Sequence, residues 1–203
     1  MKNHRGLLIV VSGFSGAGKG TLMKKLMEND EQYALSISMT TRKPREGEVD
    51  GVNYFFVTKD RFEEMIRNNE LLEYAQFVSN SYGTPRAYVE QQLDQGMNVI
   101  LDIEVQGARN IVNMIPDAVS VYMIPPSYEE LEKRLRGRGT ETEEQIQGRL
   151  QTAIDEAKAA DFYRYIIVND NLETAVNELD AIMTAEKIGY DNRKNILKEV
   201  FKL

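Results

Sequence analysis

The chain has 203 residues, no cysteine, one histidine and a formal net charge of −7. That length holds one domain with a full core and small insertions; without cysteine there are no disulfides, thiolate nucleophiles or cysteine-bound metals, and a lone His4 in a polar stub rules out histidine triads and zinc clusters. An acidic chain has little general affinity for nucleic acid or anionic membranes, so an anion site must be built by local concentration of Lys and Arg.

The first predicted element is a buried strand over residues 7–12, opened by the apolar run Leu7 to Val11. Lys2 and Arg5 before this run imitate a secretory signal. The run is short, however, and leads into a glycine-rich turn instead of a small-residue cleavage site. No other segment is long enough to span a bilayer, so no membrane association and a cytoplasmic location are expected. The turn reads Gly13-Phe14-Ser15-Gly16-Ala17-Gly18-Lys19-Gly20-Thr21 and precedes a helical pattern over 21–28. Strand, glycine-rich turn, lysine and helix, in that order, form a cradle for nucleotide phosphates. The glycines let backbone N–H groups converge, the helix adds its unpaired N–H groups, and Lys19 adds a full charge. The alternative is a glycine-rich strand–helix connection without a ligand, against which the structural context argues. Where a Ser or Thr usually follows the lysine to help hold Mg²⁺, this chain has Gly20, and Thr21 comes next.

Residues 34–95 read as a small α+β insertion, with strands at 54–57 and 71–78 and helices at 60–68 and 86–95. Asp60 with Glu63 suits a capping box for the first helix, and Gly96 a stop for the second. Beyond it, strands at 98–103, 118–124 and 165–168 alternate with helices at 105–114, 127–136 and 172–186. Continuous apolar strands between helices predict an α/β fold with a doubly wound, mostly parallel sheet. A second interruption at 137–142 is glycine-flanked and basic. It leads to a helix over 143–160, started by Thr142 and Gln145, with an apolar stripe of Ile146, Leu150, Ile154 and Ala157. The tail, 187–203, reads as a helix carrying Ile196, Leu197, Val200 and Phe201. It packs either on the body or on a second copy, which leaves a homo-oligomer open. The division that follows is a core of 1–33, 96–126 and 161–203, the insertion 34–95, and a region 127–160.

Asp102 ends the run Val99-Ile100-Leu101, at the carboxyl end of a predicted strand where ligands of open α/β sheets gather, and Glu104 is two residues on. An acid there serves a metal-bound nucleotide, or else caps the helix at Val105. Arg42 and Arg45 flank Pro44, while Arg134, Arg138 and Arg149 surround the second interruption. Guanidinium forks match phosphate oxygens; single arginines are more often a solvated face, as Arg136 reads.

These segments resemble the guanylate kinase family. The resemblance runs from the phosphate loop through Ser36-Ile37-Ser38-Met39-Thr40-Thr41-Arg42-Lys43-Pro44-Arg45-Glu46-Gly47-Glu48, Gly51-Val52-Asn53-Tyr54 and Asn69-Glu70-Leu71-Leu72-Glu73-Tyr74-Ala75. It continues in Tyr82-Gly83-Thr84, Ile100-Leu101-Asp102-Ile103, Gln106-Gly107, Pro125-Pro126-Ser127, Arg138-Gly139-Thr140-Glu141 and Val168-Asn169-Asp170. It implies a P-loop kinase that moves the γ-phosphoryl of ATP to GMP, with the insertion as GMP-binding subdomain and 127–160 as an arginine-rich lid.

By the same resemblance, Arg42, Arg45, Tyr54 and Tyr82 hold the GMP phosphate, and Ser38, Glu73 and Thr84 read guanine. A carboxylate suits guanine because N1–H and the 2-amino group are adjacent donors. Asp102 and Glu104 lie near GMP and the metal. Residues 13–21 hold the ATP phosphates, Asn169 touches adenine, and Arg134, Arg138 and Arg149 fold over as the lid. Lys19, Arg42 and the three lid arginines are the catalytic set. Mg²⁺ comes with ATP, near Thr21 and Asp102, directly or through water. Glu73 could instead be a solvated strand acid, and Tyr54 and Tyr82 half-buried aromatics of the small sheet. Two rival readings are a non-catalytic interaction module of the same fold and a kinase for another nucleoside monophosphate.

Overall fold

The computed structural model describes residues 5–77, 79–137, 139 and 142–202, so His4 lies outside the described residues. The first apolar run is strand β1 (Leu8–Gly13), central in a five-stranded parallel sheet. Its neighbours are β7 (Asn98–Asp102) and β8 (Val119–Ile124); β2 (Tyr33–Leu35) lies outside β7 and β9 (Tyr165–Val168) outside β8. Alternate β1 residues serve opposite faces. Ile9 and Val11 pack with Leu22 and Leu26 of α1 (Lys19–Asn29) and with Val176, Leu179 and Met183 of α7 (Leu172–Ile188). Leu8 and Val10 pack with Val89 and Leu93 of α3 (Arg86–Asp94) and with Ala108 and Ile111 of α4 (Val105–Met114). A strand buried on both sides has no polar face, which is why it is apolar from Leu8 to Val11; the buried Ser12 that follows donates its hydroxyl to Ile103 O at 2.6 Å. The strand order β2-β7-β1-β8-β9 reverses direction beside β1, and the crevice this opens is at the carboxyl ends of β1 and β7. The doubly wound α/β architecture is the one the alternating pattern predicts.

A second sheet has the order β4 (Phe55–Phe56), β3 (Met39–Thr40), β6 (Asn80–Pro85), β5 (Leu71–Phe77), and α2 (Lys59–Arg67) closes Phe62 and Met65 over Leu71. Three of the observed strands are not predicted from sequence. β2 and β3 are too short to show a period, and β6 carries the Asn, Gly and Pro of a turn although it is paired on both sides. Both ends of the 34–95 segment meet the core sheet: Ala34 and Leu35 of β2 pair with Val99 and Ile100, and α3 packs on β1 and β7.

Helix starts differ in one case from expectation. Thr58 caps α2 by accepting from Arg61 N at 3.2 Å, so the expected Asp60–Glu63 box does not form. Asp60 sits within the first turn instead, where its charge meets the positive helix end. In α6 (Glu143–Lys158) the box does form: Thr142 N donates to Gln145 Oε1 at 2.9 Å, and Gln145 N to Thr142 Oγ1 at 3.4 Å. Its buried stripe is Ile146, Leu150 and Ala153, packed on Leu131 and Leu135 of α5 (Tyr128–Arg136). Ile154 is 39% exposed and Ala157 is exposed too, contrary to the expected stripe. Ile154 has rotated off the shared face, and a partner of nine residues does not reach Ala157 on a helix of sixteen. Gly96, with positive φ, follows α3 as expected. The tail forms α8 (Tyr190–Phe201), with Ile196 half-buried and Leu197, Val200 and Phe201 exposed. Among the described residues no helix is long and apolar enough to cross a membrane.

Candidate active site

Between β1 and α1 the chain turns through Gly16 (φ 97°) and Gly18 (φ 95°), conformations that side chains resist. Gly18 is the cap of α1 and offers no side chain to it, so the first N–H groups of the helix remain for an anion. A Cβ on Gly18 would also stand 2.4 Å from Asn169 Nδ2. That amide donates to Ala17 O at 2.8 Å; the residue expected at adenine is seen bracing the glycine-rich loop. Lys19 Nζ donates to Gly13 O at 2.6 Å and lies 4.0 Å from Asp102 Oδ1. Phe14 leaves the loop to pack on the α5–α6 cluster and edge-on against Tyr122, with centroids 5.4 Å apart. Gly20 and Thr21 are exposed in the first turn of α1, and Thr21 is not among the residues lining the adjoining cleft.

That cleft, about 330 Å³, joins the two halves of the expected site. Gly13, Lys19, Asp102 and Glu104 line one part; Ser38, Tyr54, Glu73 and Tyr82 line the other. Glu73 is only 7% exposed, so it is not a solvated strand acid. Thr84 Oγ1, fully buried on β6, donates to Glu73 Oε1 at 2.7 Å. The β5–β6 register shifts between Leu71 and Tyr74, an irregularity of the kind that re-aims side chains beside sites. Burial pushes the Glu73 carboxyl up to about 7, with Glu104 adding to the rise and the Thr84 bond opposing it. Asp102 has a side chain 39% exposed to the cleft, but protein surrounds it closely enough to raise its pKa against the pull of Lys19. Asp102 does not cap α4, which begins without a side-chain cap. Burial also raises Glu104.

The arginines are brought near the cleft unequally. Arg42 forms a fork with Glu48, at 2.9 and 2.8 Å, and lies 5.3 Å from the Tyr54 ring centroid. Arg42, followed by the Arg45 backbone N–H, holds the Glu48 carboxyl down at about 2. Arg45 itself is exposed, and neither arginine lines the cleft. Tyr54 and Tyr82 do line it, edge to face with centroids 6.0 Å apart, and both are half-buried. Arg134 donates to Glu130 at 2.9 Å and to Asn169 O at 3.0 Å, and Arg149 donates to Ser15 of the loop. Arg138 lies outside the described residues. Arg136, exposed and paired with Glu132 and Glu143, is the surface charge expected.

Two acids of this neighbourhood carry no role in the sequence-based expectation. Glu156 lines the cleft, its pKa raised by burial against Lys19. Its seven-residue spacing from Arg149 puts both on one face of α6, a signal that was available. Glu48 is held to Arg42 by a turn and has no periodic signature.

The guanylate kinase family profile matches residues 5–186. Guanylate kinase of Clostridioides difficile (strain 630) is 50% identical over 198 residues, covering 98% of this chain and 97% of that one. Guanylate kinase of Bacillus anthracis is 50% identical over 201 residues, 98% of each chain. The crystal structure of guanylate kinase from Anaplasma phagocytophilum matches with a TM-score of 0.79 at 31% identity, covering 100% of this chain and 99% of that one. The profile spans all but the first four and last seventeen residues and the matches cover 98% or more of this chain, so the chain belongs to the guanylate kinase family.

Proposed function

We infer that the chain transfers the γ-phosphoryl of ATP to GMP, giving ADP and GDP, as a nucleoside monophosphate kinase. The observation that carries this is the single cleft running from Lys19 and Gly13 to Glu73 and Ser38, in which two nucleotides would meet phosphate to phosphate. The attacking GMP oxygen is already anionic, so no general base is needed; the protein aligns the reactants and neutralises charge. ADP release coupled to an indicator reaction, with ATP against GMP, AMP, UMP and CMP, tests the reading. GMP turnover should dominate, and a preference for another monophosphate, or no turnover, overturns it.

In this reading the core 1–33, 96–126 and 161–203 carries the loop, 34–95 the GMP contacts and 127–160 the lid. The loop from Gly13 to Thr21 takes the ATP phosphates, and Asn169 contacts adenine while bracing Ala17. Tyr54, Tyr82, Arg42 and Arg45 take the GMP phosphate; Arg42 exchanges its Glu48 partner for a dianion. Glu73 accepts from guanine N1–H and the 2-amino group, with Ser38 and Thr84 beside it. Arg134, Arg138 and Arg149 cover the ATP phosphates, and two of them already touch the loop or its brace.

Among the described residues no three carboxylate or histidine groups converge to hold a metal alone. Asp102, an oxygen donor beside Lys19, fits a Mg²⁺ that arrives on phosphate oxygens and takes one or two carboxylates. Thr21, exposed, would act through water. Bound there, the ion supplies positive charge to the transferring group. A cytoplasmic location is proposed too, supported by the cysteine-free composition.

Because Glu73 must be ionised to accept two donors, the unliganded pKa of about 7 sets a pH dependence. As pH falls through about 7, kcat/KM for GMP should drop, approaching roughly tenfold per unit. The GMP phosphate has its own second pKa of about 6, so the profile of Glu73→Gln is the reference. Identical profiles for the two proteins would exclude Glu73 as the titrating group.

A further inference from the structure

Gly107 lies buried in the first turn of α4, the helix that packs beside β5. Its φ is not in the positive range, and a helix gains from alanine over glycine at such a position. Local structure therefore gives no reason for glycine. The reason is across the interface: a Cβ at 107 would lie 2.8 Å from Glu73 Oε2 and 3.4 Å from Glu73 Cδ. Gly20 and Gly148, also within helices, have nothing within 4 Å of a built Cβ, so the crowding at Gly107 does not come from the helix itself. The Glu73 carboxylate is thus held on one oxygen by Thr84 at 2.7 Å and bounded on the other by a bare helix backbone.

We propose that Gly107 is a positioning residue for base selection: its missing side chain is the space occupied by Glu73 Oε2, and this aims the carboxylate at the paired donors of guanine. The inference rests on the reading of Glu73 as the group that accepts from guanine. Local preference is given up where a site needs the room, a conflict expected at functional positions. The crowded atom is the far end of a flexible side chain, with no backbone atom closer than it. A methyl group at 107 is then accommodated by rotation of the carboxylate, and the fold is left intact. Displacing Oε2 hurts GMP more than IMP, since IMP lacks the 2-amino group and has only N1–H to satisfy.

The test uses the whole chain as Gly107→Ala, Glu73→Gln and the double variant. It reads kcat and KM for GMP and IMP, KM for ATP, and the thermal midpoint. Gly107→Ala should raise KM for GMP about 10- to 100-fold, the scale of a small misplacement, with a smaller change in kcat. The GMP-over-IMP preference should fall, KM for ATP should stay within about twofold, and the midpoint should not drop. On the Glu73→Gln background the alanine should add less than about a twofold effect, because the group it displaces has already lost its role. Unchanged GMP kinetics in Gly107→Ala while Glu73→Gln loses preference would overturn the inference and leave the Glu73 reading standing. So would an equal penalty on both backgrounds, or loss of folding. Unchanged preference in Glu73→Gln would overturn the Glu73 reading, and this inference with it.

Discussion

Glu73→Gln should abolish guanine selection and at the same time stabilise the empty protein at pH 8. The carboxyl is buried beside Thr84, and its pKa rises from 4.5 to about 7 on folding. A group that binds protons more tightly when folded favours the fold fully below its unfolded pKa, here 4.5, and loses that contribution as pH rises through about 7. At pH 8 the ionised carboxylate therefore costs roughly 3 kcal/mol, each pKa unit being worth about 1.4 kcal/mol. Glutamine still accepts from Thr84 and carries no charge, so the variant removes this cost. Urea unfolding should show it more stable at pH 8, with the gap closing towards pH 5. Activity should move the other way. The amide sets an NH₂ donor against guanine donors, and kcat/KM for GMP should fall about 10²- to 10³-fold, the scale of unpaired buried polar groups. Equal stability at pH 8, or an unchanged GMP-to-AMP ratio, would contradict the assignment.

Lys19→Ala should leave the fold intact and remove most turnover. In the empty protein the ammonium donates to Gly13 O at 2.6 Å and stands 4.0 Å from Asp102. Neither contact belongs to the packed core, so the thermal midpoint should change little. With ATP bound, the ammonium would face oxygens on which charge grows in the transition state. Removing such a donor lowers kcat by about 10²- to 10³-fold, or roughly 2.7–4 kcal/mol. Its loss should also raise the pKa of Asp102 and Glu156 further, since Lys19 opposes burial at both. Near-normal kcat in this variant would exclude the phosphate role.

What the sequence by itself determined is what is local. The run Leu7 to Val11 specifies a strand buried on both faces, because no polar position interrupts it. Gly16, Gly18 and Lys19 specify the loop through dihedral and charge requirements that other residues meet poorly. Thr142 and Gln145 specify the start of α6 through two short-range bonds. The motif resemblance then placed Glu73, Thr84, Tyr54 and Tyr82 together, and in the structure they border or support one cleft.

Only the tertiary structure decided the rest. β2 and β3 are strands because partners far along the chain complete their ladders, and residues too few for a period cannot announce that. Ile154 is exposed although it is apolar, since α5 covers another face of α6. The pairings that shape the site join Ala17 to Asn169, Ser15 to Arg149, and Glu73 to both Thr84 and Gly107. No spacing encodes them. A one-dimensional pattern reports what a residue demands of its neighbours in sequence; which distant backbone leaves room for a carboxylate, and which burial lifts its pKa, is settled when the elements pack.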